Sequence, residues 1–235
     1  MAAYQRVLLK LSGEALAGEQ KTGFDEATCI QVARQIAELT AQGIQVAIVI
    51  GGGNFWRGRS SKTIDRTKAD SIGMLATVMN CVYMSEICRF CGMKTRIFTP
   101  FACGNVSELF SKDQAVGAMR EGAVIFLAGG TGHPYFSTDT ATALRAIELE
   151  CDAIVMARAV DGVYDSDPKT NPNAKKYETV TYQELLDKKL AILDLTATVM
   201  CMENHVPTLV FSLNEENSII NNVSGKLTGT VVTAE

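Results

Sequence analysis

The chain has 235 residues, 47% of them hydrophobic and 20% charged, with a formal net charge of −4. That length and composition suffice for a sizeable core in one large domain or two closely merged lobes, and the acidic balance repels polyanions, which argues against a dedicated nucleic-acid binder. The N-terminus MAAYQRVLLKLS has no long apolar stretch and the longest aliphatic runs are strand-sized, so neither a signal peptide nor a membrane span is expected and the protein reads as cytoplasmic.

Taken in chain order, short apolar β-rich runs alternate with longer segments of helical period. Residues 6–11 read as a strand and 25–42 as an amphipathic helix, with Asp25 at its N-cap and Gly43 just past its end. A second strand follows at 45–50. From about 68 to 91 a Met- and Leu-rich segment places Ile72, Leu75, Ala76, Met79 and Val82 on a helical stripe, broad enough for both a core and a subunit contact. A third strand (94–99), a short helix (113–120), a fourth strand (124–128), a helix (138–150) and a fifth strand (153–157) complete a βαβ alternation. This order predicts an α/β fold, a three-layer αβα sandwich around a largely parallel sheet. Between 160 and 177, Gly162, Pro168, Pro172 and interspersed Asp and Asn residues predict a structured surface loop. Helices are then expected near 182–189 and 195–204, and strands near 208–211 and 229–232.

Seven cysteines, an odd number, argue for free thiols. Cys88 and Cys91 form a lone CxxC with no second pair, and His133 and His205 lie far away in sequence, so a zinc site has little support. Gly92 follows the pair and marks a helix C-terminus, where the dipole disfavours a thiolate.

Three strands end in glycine clusters: Lys10-Leu11-Ser12-Gly13, Gly51-Gly52-Gly53-Asn54 and Gly129-Gly130-Thr131-Gly132. In a parallel sheet these turns gather along the carboxyl edge, where open α/β sheets bind ligands. Glycine lets backbone N–H groups approach an anion, and helix N-termini beyond such turns favour phosphate. Neither GxxxxGK[ST] nor a GxGxxG after the first strand occurs, which sets aside P-loop and dinucleotide-binding readings. Basic residues, glycine turns and scattered aspartates are what phosphoryl transfer requires, since it relies on positioning and on cations around the transferred group.

The KLSGEAL run at 10–16, GGGN at 51–54 with Arg57 and Gly58, GMLATVMN at 73–80, the GTG turn at 130–132 leading to Thr138 and Asp139, and VDGVY at 160–164 leading to Asp167 and Pro168 closely resemble the bacterial uridylate kinases of the amino-acid-kinase superfamily. The resemblance covers essentially the whole chain. It implies one amino-acid-kinase domain spanning 1–235, with an acceptor-binding lobe of about 1–150 and an ATP-binding lobe of about 151–235. It further implies that ATP, with Mg²⁺ bridging its phosphates, phosphorylates UMP to UDP in pyrimidine nucleotide synthesis, and that the enzyme is a homohexamer.

By the same resemblance, Lys10, Arg57 and Asp139 are the catalytic residues, with Lys10 the cation between donor and acceptor phosphates and Asp139 orienting it. Lys10, Leu11, Ser12, Gly13, Gly53, Arg57, Arg158, Tyr164 and Asp167 would hold ATP. Gly52, Asp70, Thr131, Gly132, His133, Pro134, Tyr135, Phe136, Ser137 and Thr138 would hold UMP, with Asp70 on the ribose. From the residues alone, Asp70 could instead serve the helix dipole and Asp139 could be a helix cap. Asp194 matches a family aspartate without an assigned role. One departure stands out: where relatives carry a lysine, this chain has Met156 in the run Met156-Ala157-Arg158-Ala159. Two readings stay open there, in which Arg158 supplies the missing charge from a shifted position or lies on the surface. A carboxylate kinase of the same fold, such as acetylglutamate kinase or aspartokinase, and a non-catalytic oxyanion binder are the competing functions. GMLATVMN and the aromatic 131–139 loop speak against the first, and Lys10, Arg57 and Asp139 against the second.

Overall fold

A computed structural model describes residues 4–56, 63–158, 160–168, 170–190, 192–213 and 215–235. In chain order the elements are β1 (Arg6–Leu11), α1 (Gly13–Leu16), α2 (Glu26–Ala41), β2 (Gln45–Ile50), α3 (Arg66–Phe90), β3 (Lys94–Thr99), β4 (Glu108–Leu109), α4 (Lys112–Arg120), β5 (Ala123–Leu127), α5 (Thr138–Glu148), β6 (Ala153–Arg158), β7 (Thr179–Thr181), α6 (Tyr182–Asp187), α7 (Leu195–Glu203), β8 (Thr208–Ser212), α8 (Ser218–Val223) and β9 (Thr230–Thr233). The strands form one sheet of order β4-β3-β5-β2-β1-β6-β8-β9-β7, parallel except for the β8–β9 pair. The expected three-layer α/β fold is thus the observed one.

Each face of the sheet is covered. Val7, Leu9 and Leu11 of β1 point toward α2, α3 and α8, where Val32, Ile36, Cys81, Met84 and Ile219 are fully or nearly fully buried. Leu8 points the other way, toward Ala115, Ala143, Ala146 and Ala197 of α4, α5 and α7. By the two-residue period of a strand, Lys10 shares the face of Leu8 and is directed toward α5. Neighbouring strands place Val49 and Met156 opposite Lys10, so this lysine has apolar partners on both sides and only 8% exposure.

α3 is capped by Asp65, whose carboxylate accepts from the N–H groups of Thr67 and Lys68. The helix therefore starts two residues earlier than the sequence periodicity suggests. It is also long and apolar enough to cross a bilayer by length and composition, against expectation, but here it packs its inner face onto the sheet beside α2. Its far end is tied to β3: Ser85 Oγ and Arg89 Nε both reach Thr95 Oγ1 at 2.8 Å. The Cys88/Cys91 pair sits at that C-terminal end, with Gly92 at φ 88° after it, and burial pushes the Cys88 thiol up to about 12. No group of three metal-ligating side chains converges among the described residues.

Candidate active site

The three glycine turns lie together at the carboxyl edge of β1, β2 and β5. After β1, Ser12 caps α1 by accepting from the Ala15 N–H at 3.0 Å, which turns the backbone of Gly13 over the start of the helix. Gly13 has no room for a side chain: a Cβ there would lie 2.4 Å from the Gly51 carbonyl oxygen and 2.3 Å from Asn54 Oδ1. Gly52 is similarly pressed against α3, where a Cβ would meet Gly73 O at 2.9 Å. The first turn feeds a helix directly, whereas a loop separates the third from α5.

At the centre, Lys10 Nζ lies 2.9 Å from Asp139 Oδ1, and Arg158 Nη2 donates to Asp139 Oδ2 at 3.0 Å. One carboxylate thus holds two cations from adjacent strands. Arg158 Nη2 also donates to the Ile192 carbonyl, and its Nε lies 3.2 Å from Met156 Sδ. Asp139 is the second residue of α5, but the cap is Ser137, whose Oγ accepts from the Asp139 and Thr140 N–H groups at 3.0 and 3.3 Å. The capping alternative for Asp139 is therefore not what its side chain does.

Three cavities lie nearby, two of them with residues of this cluster in their walls. One of 130 Å³ is walled by Gly52, Asp70, Gly130, Thr131, His133 and Phe136, with Trp56, Ser137 and Thr138. A second, of 450 Å³, runs past Arg66, Asp139, Arg158 and Asp194. The third, of 460 Å³, is lined by Gly162, Tyr164, Asp167, Pro168, Leu190 and Val210. Arg158 and Ile192 line both larger cavities, so the guanidinium stands in the wall between them.

Residues 5–212 match the amino acid kinase family. A uridylate kinase of Bacteroides thetaiotaomicron is 44% identical over 99% of both chains. The chain belongs to the amino acid kinase family, in its uridylate kinase branch. Among solved structures, a UMP kinase from Bacillus anthracis superposes with a TM-score of 0.95 at 33% identity, over 99% of this chain and 97% of that one. One from Ureaplasma parvum gives 0.93 at 36%, over 97% and 98%.

Within this family frame, most of the expected site residues come together. Lys10 and Asp139 pair directly; Gly52, Asp70, Thr131, His133, Phe136, Ser137 and Thr138 share one cavity wall; Tyr164 and Asp167 share another. Gly132, Pro134 and Tyr135 do not line the smaller cavity, and Tyr135 is 64% exposed with φ 71°. Arg57 lies outside the described residues. Arg158 stands beside Asp139 with its side chain 31% exposed, which favours the first reading of the 156–159 departure. Asp70 is past the first turn of α3, where the dipole is weak. Its carboxylate instead accepts from Arg66 Nε at 2.8 and 2.9 Å and from the Tyr135 N–H at 2.8 Å, holding the 131–137 loop to the helix.

Asp194 now has a place. It caps α7 through Ala197 N–H at 2.9 Å and accepts from Thr140 Oγ1 at 2.8 Å and from Ser137 Oγ. Burial works to raise its pKa, but these three donors together outweigh it and hold the carboxyl below the ordinary aspartate value. Since Ser137 in turn orders the Asp139 N–H, Asp194 braces the end of α5 that carries Asp139.

Two residues of the site are ones the sequence reading passed over. Asn54 and Asn80, 1% and 0% exposed, join their side-chain amides reciprocally at 3.0 and 2.8 Å. The remaining donors go to backbone, Asn80 Nδ2 to Gly51 O at 2.7 Å and Asn54 Nδ2 to Gly23 O at 2.8 Å. One turn earlier on α3, Thr77 Oγ1 accepts from the Gly129 N–H at 2.8 Å. The available signal was a polar residue in the inward phase of α3: Asn80 falls among Thr77, Cys81, Met84 and Cys88, all buried.

Proposed function

We infer that the chain transfers the γ-phosphoryl group of ATP to the phosphate of UMP, giving ADP and UDP. The observation that carries this is the Lys10–Asp139–Arg158 cluster, two of whose residues wall a cavity that shares Trp56, Asp70, Phe136 and Ser137 with the smaller, glycine-walled one. In this reading the 52–53 and 130–132 turns, with the loop to Thr138, bind UMP, and Tyr164 and Asp167 flank the ATP nucleoside. A phosphate oxygen of UMP attacks the γ-phosphorus while the bond to the β-bridging oxygen of ADP breaks, so no covalent enzyme intermediate forms. Lys10, aimed by Asp139, neutralises charge on the transferred oxygens as it spreads in the transition state. Arg57 would clamp the phosphates beside it. Arg158 would grip ATP phosphate with its planar pair of donors. Mg²⁺ would be held by the nucleotide's own phosphates, where it lowers their charge.

The division into an acceptor lobe before about residue 150 and an ATP lobe after it follows the same assignment. The homohexamer is proposed on α3: Leu75 and Met79 are 53% and 51% exposed, and with Phe24, Val82, Tyr83 and Val106 they line an apolar groove of 680 Å³. Such a surface suits a dimer contact from which larger rings are built. Light scattering giving a monomer at micromolar concentration would sink this. Cytoplasmic location and a role in pyrimidine synthesis accompany the substrate assignment.

The decisive experiment is a coupled assay of the purified protein with MgATP and UMP, CMP, dUMP or acetylglutamate as acceptor. UMP turns over fastest; equal turnover of another acceptor overturns the assignment.

A further inference from the structure

We propose that the Asn54–Asn80 amide pair is a positioning device that sets the distance between the donor and acceptor phosphate turns. The proposal rests on assigning the 12–13 and 51–53 turns to the two phosphates.

The pair touches both turns. Asn54 closes the second turn and Asn80 donates to its first carbonyl, Gly51 O, at 2.7 Å. Gly13 of the first turn lies against the pair so closely that an added Cβ would stand 2.3 Å from Asn54 Oδ1 and 2.9 Å from Asn80 Nδ2. The two backbones are also joined directly, Gly51 N–H donating to Leu11 O at 3.0 Å. Every amide hydrogen of the pair is used: one from each Asn goes to the other, and one from each goes to a main-chain carbonyl. A buried polar pair satisfied this completely holds one geometry, whereas an apolar filler would allow the turns to slide. Asn80 is a residue of the sheet-packed helix α3, so the second turn is referenced to the core and not only to its own loop.

Neither asparagine lines the three cavities at the site, so their effect on chemistry runs through the turns. Each turn alone can still bind its phosphate once the pair is cut. What is lost is their mutual placement, and a displacement of about 1 Å between reacting groups costs on the order of a hundredfold in rate.

The test is steady-state kinetics of Asn80→Ala, Asn54→Ala and the double variant on the full-length enzyme, with folded fraction and Tm recorded for each. Lys10→Ala is assayed beside them. Asn80→Ala is expected to lower kcat by roughly ten- to a hundredfold, with KM for ATP and for UMP within about threefold, and the double variant to be no worse than the worse single one. Where Asn80→Ala yields too little folded protein, Asn80→Ser, which keeps a donor in a smaller volume, is read in its place and shows the same split. A kcat per folded molecule within twofold of wild type, or losses that simply multiply in the double variant, overturns the clasp. An unchanged kcat in Lys10→Ala overturns the assignment of the phosphate turns instead, and the two failures are told apart by which variant stays active.

Discussion

The acceptor and donor sides of the site are held by different forces. Around the acceptor-side glycine turns the supporting contacts are neutral hydrogen bonds between buried groups: Asn54 with Asn80 and Thr77 with the Gly129 N–H. Around the 160–177 loop they are partly exposed charges. Lys176 Nζ donates to Asp161 Oδ2 and to Thr228 O, each at 3.0 Å, and Tyr164 OH donates to Asp161 Oδ1 at 2.8 Å. The Asp161 carboxylate raises the pKa of both Lys176 and Tyr164, and Lys176 and Asp161 remain 32% and 36% exposed. Buried neutral bonds are insensitive to salt and fail abruptly when a partner is removed, whereas exposed ion pairs are screened and contribute little singly. The phosphate turns of the acceptor side are therefore the stiffer frame, and the donor side the more compliant one.

Substitutions can break or sharpen that contrast. The largest effect is expected at the junction: Lys10→Ala lowers kcat by a hundredfold or more, about 2.7–4 kcal/mol of transition-state charge stabilisation, with a smaller change in KM for UMP. Thr77→Val comes next, since it keeps the volume but leaves the buried Gly129 N–H unpaired, at a cost of about 1–3 kcal/mol. Titrating each substrate in turn should show KM for UMP rising several-fold while KM for ATP stays flat; equal changes in both would erase the distinction between the sides.

Asp194→Asn probes the brace behind Asp139. The folded-state pKa of Asp194 is depressed, so its contribution is present above the unfolded aspartate value of about 4 and is lost as pH falls through the lower folded value. Wild-type Tm should accordingly decline on acidification through that window, and the variant should decline less steeply. Parallel Tm profiles would remove Asp194 from the acid limb.

On the donor side the expected losses are smaller. Arg158→Ala should raise KM for ATP about fivefold, roughly 1 kcal/mol, and leave KM for UMP nearly unchanged. A rise within twofold would mean that the bond to Asp139 is the whole of its role. Lys176→Met closes the series: KM for ATP rises about twofold at low salt, under about 1 kcal/mol, and the difference disappears at high ionic strength.

How much of this was legible beforehand depends on the range of the interaction. β1 and β2 fall where their apolar runs put them, because a strand buried on both faces advertises itself over six residues. α1, β4, β7 and α8 span between two and six residues, too short for any period to register, and α8 opens on Asn217 in the left-handed region with no side-chain cap. At the site, Lys10, Asp139 and Arg158 were each marked by residue type and family resemblance. That two cations would share one carboxylate depends on β1 and β6 lying side by side, a pairing across almost 150 positions. Asn80 was hidden by the opposite bias, since an asparagine in a helix reads as solvent-facing until the phase of its neighbours is counted.

α3 is fastened at its C-terminal end, where Ser85 and Arg89 meet Thr95, and carries Asp70 near the other. At 1.5 Å of rise per residue its 25 residues extend about 37 Å, so a rigid helix fastened there would tilt as a lever about a point near Cys91. Any tilt that carries Asp65 through about 1 Å moves Asn80, at under half that radius, by less than about 0.5 Å. By that gearing a given tilt would displace the helix at Asp70 about twice as far as at Asn80.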